Sequence, residues 1–299
     1  MNNYQAFGLT IESEFILEEF LPGSGGLPDL TITAGKIPKE IKNPVINTES
    51  VKISKNRFWM VVKGIGGFYV EKGRKIVVEP YEGSSFEEVK LYLFGSCIGA
   101  ALFQKRILPL HGSCINVKGK GILLTGDSGA GKSTVSAVIC KQGYTMLSDD
   151  VSVVITEEGK EPIVSPSFPY QKLWGDAIER VDIRNERKAL NRISENIYKY
   201  AIQNDTHFEE EPVTLAVVIE IIPSLNEGLE ITEITGGEKL DVILKNTYRK
   251  IMAEAMDLKE WHFRECIKIA EHVQVFRIHR AKYRHLEQEI AKLILEKIG

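Results

Sequence analysis

The stretch Gly121-Ile122-Leu123-Leu124-Thr125-Gly126-Asp127-Ser128-Gly129-Ala130-Gly131-Lys132-Ser133-Thr134 decides the fold. Its first five residues read as an apolar strand, and Val135, Val138 and Ile139 give the segment Ser133 to Lys141 the core-facing stripe of a helix. Between them stands the pattern Gly-x-x-x-x-Gly-Lys-Ser, a phosphate-binding loop in its proper strand-to-helix setting. A triphosphate needs backbone N–H groups aimed inward, and Gly126, Gly129 and Gly131 permit the tight path that aims them. The helix adds its positive end, Lys132 neutralises charge on the β and γ phosphates, and the Ser133 hydroxyl suits a magnesium ligand. Residues Gly126 to Thr134 are therefore the candidate ATP-binding set. A plain glycine-rich turn leaves Lys132-Ser133 at this spacing unexplained.

Downstream, Gly143 stops the helix and Tyr144 to Leu147 reads as the next strand, completing a β-loop-α-β unit that ends in Asp149-Asp150. Strands beside a phosphate loop deliver residues at their carboxyl ends into the ligand crevice. Of two adjacent carboxylates, one can hold magnesium and the other can accept the proton of an attacking hydroxyl. Upstream, His111 precedes Gly112-Ser113 and the strand Ile115 to Val117. On spacing alone such a histidine is more often structural.

Further out, residues 1–83 read as a β-rich module with strands Phe7 to Ile11, Leu30 to Thr33, Phe58 to Val62, Phe68 to Val70 and Ile76 to Val78, the last two joined by a hairpin loop through Gly73. Ser84 with Glu87, and Ser85 with Glu88, match capping boxes for a buried helix ending near Gln104, and 84–299 is taken as the second domain. Val151 to Ile155 and Pro162 to Val164 form an expected hairpin. Thr214 to Ile222 is an expected central strand buried on both faces. Helices are expected over Leu240 to Met256 and Tyr283 to Ile298, with a strand over Val273 to Ile278 between them. The polar segment 176–212 reads as helices or a surface loop. Its Arg184, Arg187, Lys188 and Arg192 are candidates for a transition-state cation, although a solvated helix face is the more common reason for such residues. Lys172 and Trp174 either flank the ligand or pack.

At 299 residues, with 43% hydrophobic and 26% charged side chains, the composition is that of an ordinary folded protein. The 38 basic and 41 acidic residues leave a formal charge of −3, which argues against a nucleic-acid partner. The apolar run from Leu91 to Phe103 is too short to span a bilayer, which needs about 20 residues. No signal-peptide pattern is read at the amino terminus, so a cytoplasmic protein with no membrane partner is expected. The four cysteines lack Cys-x-x-Cys spacing and read as reduced thiols. His207, His262, His272, His279 and His285 show no metal-ligand spacing.

The runs Leu110 to Ser113, Gly121 to Ser133 and Gly143 to Asp150 resemble, in order and spacing, the catalytic domain of the HPr kinase/phosphorylase family. A looser likeness extends over the preceding helix and Pro166 to Trp174. The resemblance implies an α/β P-loop domain of the HPr kinase and phosphoenolpyruvate carboxykinase type, following a small β-rich amino-terminal module. It implies ATP and Mg2+ as cofactors, Lys132 on the phosphates, Ser133 and Asp150 on the metal, Asp150 with Asp149 beside it as proton acceptor, and His111 in the active site. Its layout is similar to kinases that phosphorylate the carboxyl-terminal serine of lasso-peptide precursors, so the implied partner is a serine-bearing peptide or small protein, and the family's assembly implies a homo-oligomer. A kinase of a small hydroxylated metabolite and a nucleotide-dependent switch or ATPase are the alternatives.

Overall fold

The computed structural model describes residues 1–181, 190–194, 197–225 and 228–298, with side chains described for all of these except 190–194 and 197–199. Residues 2–80 form a nine-stranded sheet in which Leu9–Ser13, Leu30–Ala34 and Lys75–Pro80 run parallel to one another and the other neighbours pair antiparallel. Four of the five expected strands lie within observed ones. The first does not: Phe7 and Gly8 form the turn between Asn2–Ala6 and Leu9–Ser13, at φ of 59° and 71°. Phe7 looked like a strand residue because it is apolar, and its ring is buried in the core from a turn position. In the expected hairpin, Lys72 and Gly73 take φ of 53° and 64°. A Cβ on Gly73 would lie 2.9 Å from the Ala101 carbonyl oxygen, so glycine there also admits the helix that docks on the hairpin.

That helix runs through Phe86–Tyr92, a π-helical turn Leu93–Cys97 and Ile98–Gln104. The expected capping boxes do not form. Ser85 is the N-cap but makes no side-chain cap bond, and in the other pair Glu87 is engaged by Lys90 at 2.7 Å while the Ser84 hydroxyl donates to the Tyr81 carbonyl. The helix contributes Val89, Leu93, Phe94, Ile98 and Phe103 to the same core as Ile11, Leu30, Phe68 and Ile76 of the first sheet.

The second sheet carries the phosphate loop. Leu108–Val117 is longer than expected and changes partners midway: residues 108–111 pair with Val151–Ile155, whereas residues 112–117 lie between Lys120–Thr125 and Thr145–Ser148. The two strands of the β-loop-α-β unit are therefore parallel but not adjacent, with Leu108–Val117 antiparallel to both. Val151–Ile155 and Ile163–Ser165 form the expected hairpin. Val213–Ser224 is the central strand, parallel to Lys120–Thr125 on one side and Gln274–Ala281 on the other, with Val217 to Ile221 all buried.

Segment 176–212 departs from expectation. Helix Gly175–Val181 is followed by strands Leu190–Ser194 and Ile197–Gln203, which build a three-stranded sheet with Tyr170–Trp174. Arg184, Arg187, Lys188 and the side chain of Arg192 lie outside the described residues. The expected helix Leu240 to Met256 is two, Gly237–Lys245 and Ile251–Ala255. The break falls where Asn246 Nδ2 turns back to the Val242 carbonyl and Thr247 bridges to Leu110, tying the chain to the sheet. Helix Lys259–His272 was not anticipated: it buries only His262, Cys266 and Ile269, a stripe too thin and too polar to stand out. The carboxyl-terminal helix is Glu287–Ile298, shorter at its start than expected. No helix among the described residues is long and apolar enough to cross a membrane, and all four cysteines are free and buried.

Candidate active site

The phosphate loop leaves strand Lys120–Thr125 with Gly126 at φ 129°, Gly129 at 83° and Gly131 at 106°, and Gly131 is the N-cap of helix Lys132–Lys141. All three values favour glycine. At Gly126 there is a second reason, since a Cβ would sit 2.4 Å from the Ile221 carbonyl oxygen of the central strand. Lys132 is buried and folds back over the loop, its Nζ donating to the carbonyls of Gly126 at 2.9 Å and Asp127 at 3.1 Å. This keeps an ammonium at the mouth of the loop, where phosphate charge would replace carbonyl dipoles.

Two carboxylates face this loop in different ways. Asp149 is buried and accepts hydrogen bonds from the Ser133 hydroxyl at 2.8 Å, the Lys172 backbone N–H at 2.8 Å and the Ser113 hydroxyl. Of the residues expected on a metal, Ser133 meets Asp149, whereas Asp150, at φ 71°, meets other side chains. Its Oδ2 accepts from Lys172 Nζ at 3.0 Å, and its Oδ1 lies 3.4 Å from His111 Nδ1. His111 Nδ1 also lies 3.1 Å from the Asp150 carbonyl oxygen.

The histidine is held by its backbone, donating from its N–H to the Asn246 carbonyl at 2.8 Å and accepting on its carbonyl from the Thr125 hydroxyl at 2.7 Å. Burial, reinforced by the Lys132 charge, lowers its pKa below the ordinary 6.5 against the opposing pull of Asp150. Burial alone would lower the Lys172 ammonium, but Asp150 and Tyr248 outweigh it and raise its pKa. Tyr248 packs beside His111 with ring centroids 6.0 Å apart.

The loop, His111, both aspartates, Lys172 and Trp174 line one cleft of about 650 Å³. Lys172 is thus a site residue, and Trp174 is half-exposed at the rim. The sequence reading missed Arg280, at the end of Gln274–Ala281, whose guanidinium reaches the loop from a strand distant in sequence. Its only local signal was an arginine at the carboxyl end of an alternating strand. Among the described residues no group of three His, Cys, Asp or Glu side chains is arranged to hold a metal. Magnesium in phosphoryl transfer is bound by one or two carboxylates together with phosphate and water, so the convergence of Ser133 and Asp149 fits it without such a group.

Residues 104–172, under half of the chain, match the family described as HPr Serine kinase C-terminal domain. The HPr kinase/phosphorylase of Pelodictyon phaeoclathratiforme (strain DSM 5477 / BU-1) is 42% identical over 55 residues, 18% of this chain and 16% of that protein. That of Clostridium botulinum (strain Eklund 17B / Type B) is 31% identical over 100 residues, 33% of this chain and 32% of that protein. The chain therefore matches at most about a third of the length of these relatives. A solved structure, the Hpr(Ser) kinase/phosphatase from Coxiella burnetii, covers 63% of this chain and 95% of that chain at 14% identity, with a TM-score of 0.32, too low to bear on the fold. The matched residues hold His111, the phosphate loop, both aspartates and Lys172. They support kinship with HPr kinase-like proteins around the site.

Proposed function

We propose that this protein is an ATP- and magnesium-dependent serine kinase acting on a peptide or small protein in the cytoplasm. The observation that carries the reading is the division of labour in one cleft. A glycine loop with Lys132 serves the phosphates, Asp149 stands on the Ser133 hydroxyl, and Asp150 meets His111 and Lys172.

In this reading Ser133 and Asp149 hold magnesium, which when bound neutralises charge on the phosphates. Lys132 leaves its carbonyl partners for the phosphoryl oxygens and stabilises the charge that develops on them. Asp150 accepts the proton of the serine hydroxyl, while Lys172 and His111 fix the carboxylate so that the hydroxyl is presented in line. With its proton on Nδ1, a neutral His111 donates to Asp150. The carboxyl-terminal serine of a lasso-peptide precursor is the acceptor nominated by the sequence resemblance, and a free hydroxyl on a chain end would enter an open cleft of this kind.

Mass spectrometry after incubation with ATP, Mg2+ and serine-ended precursor peptides should show one added phosphate. The Asp150→Asn protein should lose at least about 100-fold in rate while still binding ATP. Transfer at the wild-type rate by that variant would remove Asp150 from the role of base.

A further inference from the structure

Among the described residues, every hydrogen bond of the Arg280 side chain goes to a backbone carbonyl oxygen. Its Nε donates to Ala130 at 2.8 Å and its Nη2 to Gly129 at 3.2 Å, while Nη1 donates to Ala281 at 3.1 Å and Lys282 at 3.5 Å. One edge of the guanidinium is thus tied to the phosphate loop, and the remaining nitrogen holds the backbone just beyond its own strand. The residue sits beside Pro223 of the central strand and Leu229 of the edge strand. It lines the same cleft as Lys132 and Ser133.

The geometry points to Arg280 as the positioning residue that holds the phosphate loop in its anion-binding shape. In a trans peptide the C=O and the following N–H point in opposite directions. An arginine that pins the Gly129 and Ala130 oxygens therefore fixes the two peptide planes that carry the Ala130 and Gly131 N–H groups. In this structure the Ala130 N–H closes a turn onto the Asp127 carbonyl at 3.1 Å. The Gly131 N–H, whose peptide oxygen takes the 2.8 Å bond, is turned away from Arg280 and opens the helix N-terminus at φ 106°. Glycine is conformationally loose, and a loop with glycines at 126, 129 and 131 needs an external clamp to keep its donors convergent before ligand arrives. A planar fork suits two carbonyls on successive residues, and a lysine ammonium does not.

The inference rests on the nucleotide-binding reading above, and the test separates the two. Calorimetric titration of the full-length protein with ADP and with ATP, each with Mg2+, is compared for wild type, Arg280→Ala and Arg280→Lys, with near-ultraviolet circular dichroism confirming that each is folded. Loss of a charge-assisted carbonyl clamp should weaken ADP and ATP binding alike, by about tenfold or more. Arg280→Lys should recover only a small part, and at saturating ATP the variants should keep most of kcat while KM rises. Unchanged ADP affinity in Arg280→Ala overturns the role. A loss confined to ATP overturns it too, since that would place the guanidinium on the γ phosphate. Should Arg280→Ala not fold, full affinity in Arg280→Lys decides against the clamp. A wild type that binds neither nucleotide defeats the nucleotide reading itself and this role with it.

Discussion

Asp149 and Asp150 are neighbours in sequence, yet the left-handed backbone of Asp150, at φ 71°, sends their carboxylates into different surroundings. Asp149 accepts three hydrogen bonds from Ser133, Ser113 and the Lys172 backbone, a coordination suited to holding a metal beside the loop. Asp149→Asn should raise the Mg2+ concentration needed for half-maximal activity by roughly 10–100-fold, read from a magnesium titration of the initial rate. The same substitution should also cost about 1–3 kcal/mol of stability, because the amide oxygen keeps the two serine hydroxyls while the amide NH2 faces the Lys172 backbone N–H, which loses its acceptor.

His111 supplies the pH dependence at this scale. Its folded-state pKa lies below 6.5, so between that value and 6.5 the unfolded chain holds a proton that the folded chain does not. Its contribution to stability therefore rises with pH through that window and is lost as the pH falls through it. His262, buried and also lowered, contributes with the same sign. A histidine NMR titration should place the His111 midpoint below 6.5 and show a neutral ring at pH 7. A midpoint above 6.5 would mean that the Asp150 contact outweighs burial.

Among the elements, the strand-loop-helix is the one whose glycines are not interchangeable. Gly126 lies where a methyl group would strike the Ile221 carbonyl oxygen at 2.4 Å, whereas a Cβ on Gly129, at φ 83°, would have nothing within 4 Å. Gly126→Ala should cost about 2–3 kcal/mol of stability and abolish nucleotide binding, while Gly129→Ala should cost only about 1 kcal/mol of backbone strain. Paired urea unfolding curves check the difference, and equal costs would show that the loop shifts freely against the central strand. The bend of Leu108–Val117 is a second element-level device. By changing partners after His111, it places that residue at the corner between the Val151–Ile155 strand and the loop-bearing strand.

Across the whole molecule, the amino-terminal sheet and the phosphate-loop region meet through aromatic packing. Phe168, in the turn before Tyr170–Trp174, has ring centroids 5.5 Å from Phe7, 5.4 Å from Phe20 and 5.5 Å from Phe94. Val151 and Val153 of the second sheet belong to this same buried cluster. Phe168→Ala should therefore destabilise the protein by about 3–5 kcal/mol, measured by chemical unfolding. A chain beginning at residue 84 should bare the helix face that covers the first sheet and bind a hydrophobic dye such as ANS. A folded, dye-silent fragment would show that the second region stands without the first.

The site was legible where its chemistry is local. The loop, its helix, Asp149-Asp150 and the apolar central strand each carry their signal within about ten residues, because glycine permissiveness, helix periodicity and strand burial are short-range properties of the chain. His111 was legible only through its order relative to the loop. What the sequence by itself determined is therefore a glycine-rich loop of phosphate-binding pattern, between a strand and a helix in an α/β setting, with carboxylates beside it. The tertiary structure decided which aspartate meets Ser133, since that depends on one backbone dihedral and on Ser113 and Lys172 arriving from elsewhere. It also decided that Lys172 and Arg280 belong to the site, and that the helix expected over Leu240 to Met256 breaks to hold His111. These are contacts between segments from about 20 to 150 residues apart. No local pattern encodes them, because they exist only once the sheet has brought its strand ends together.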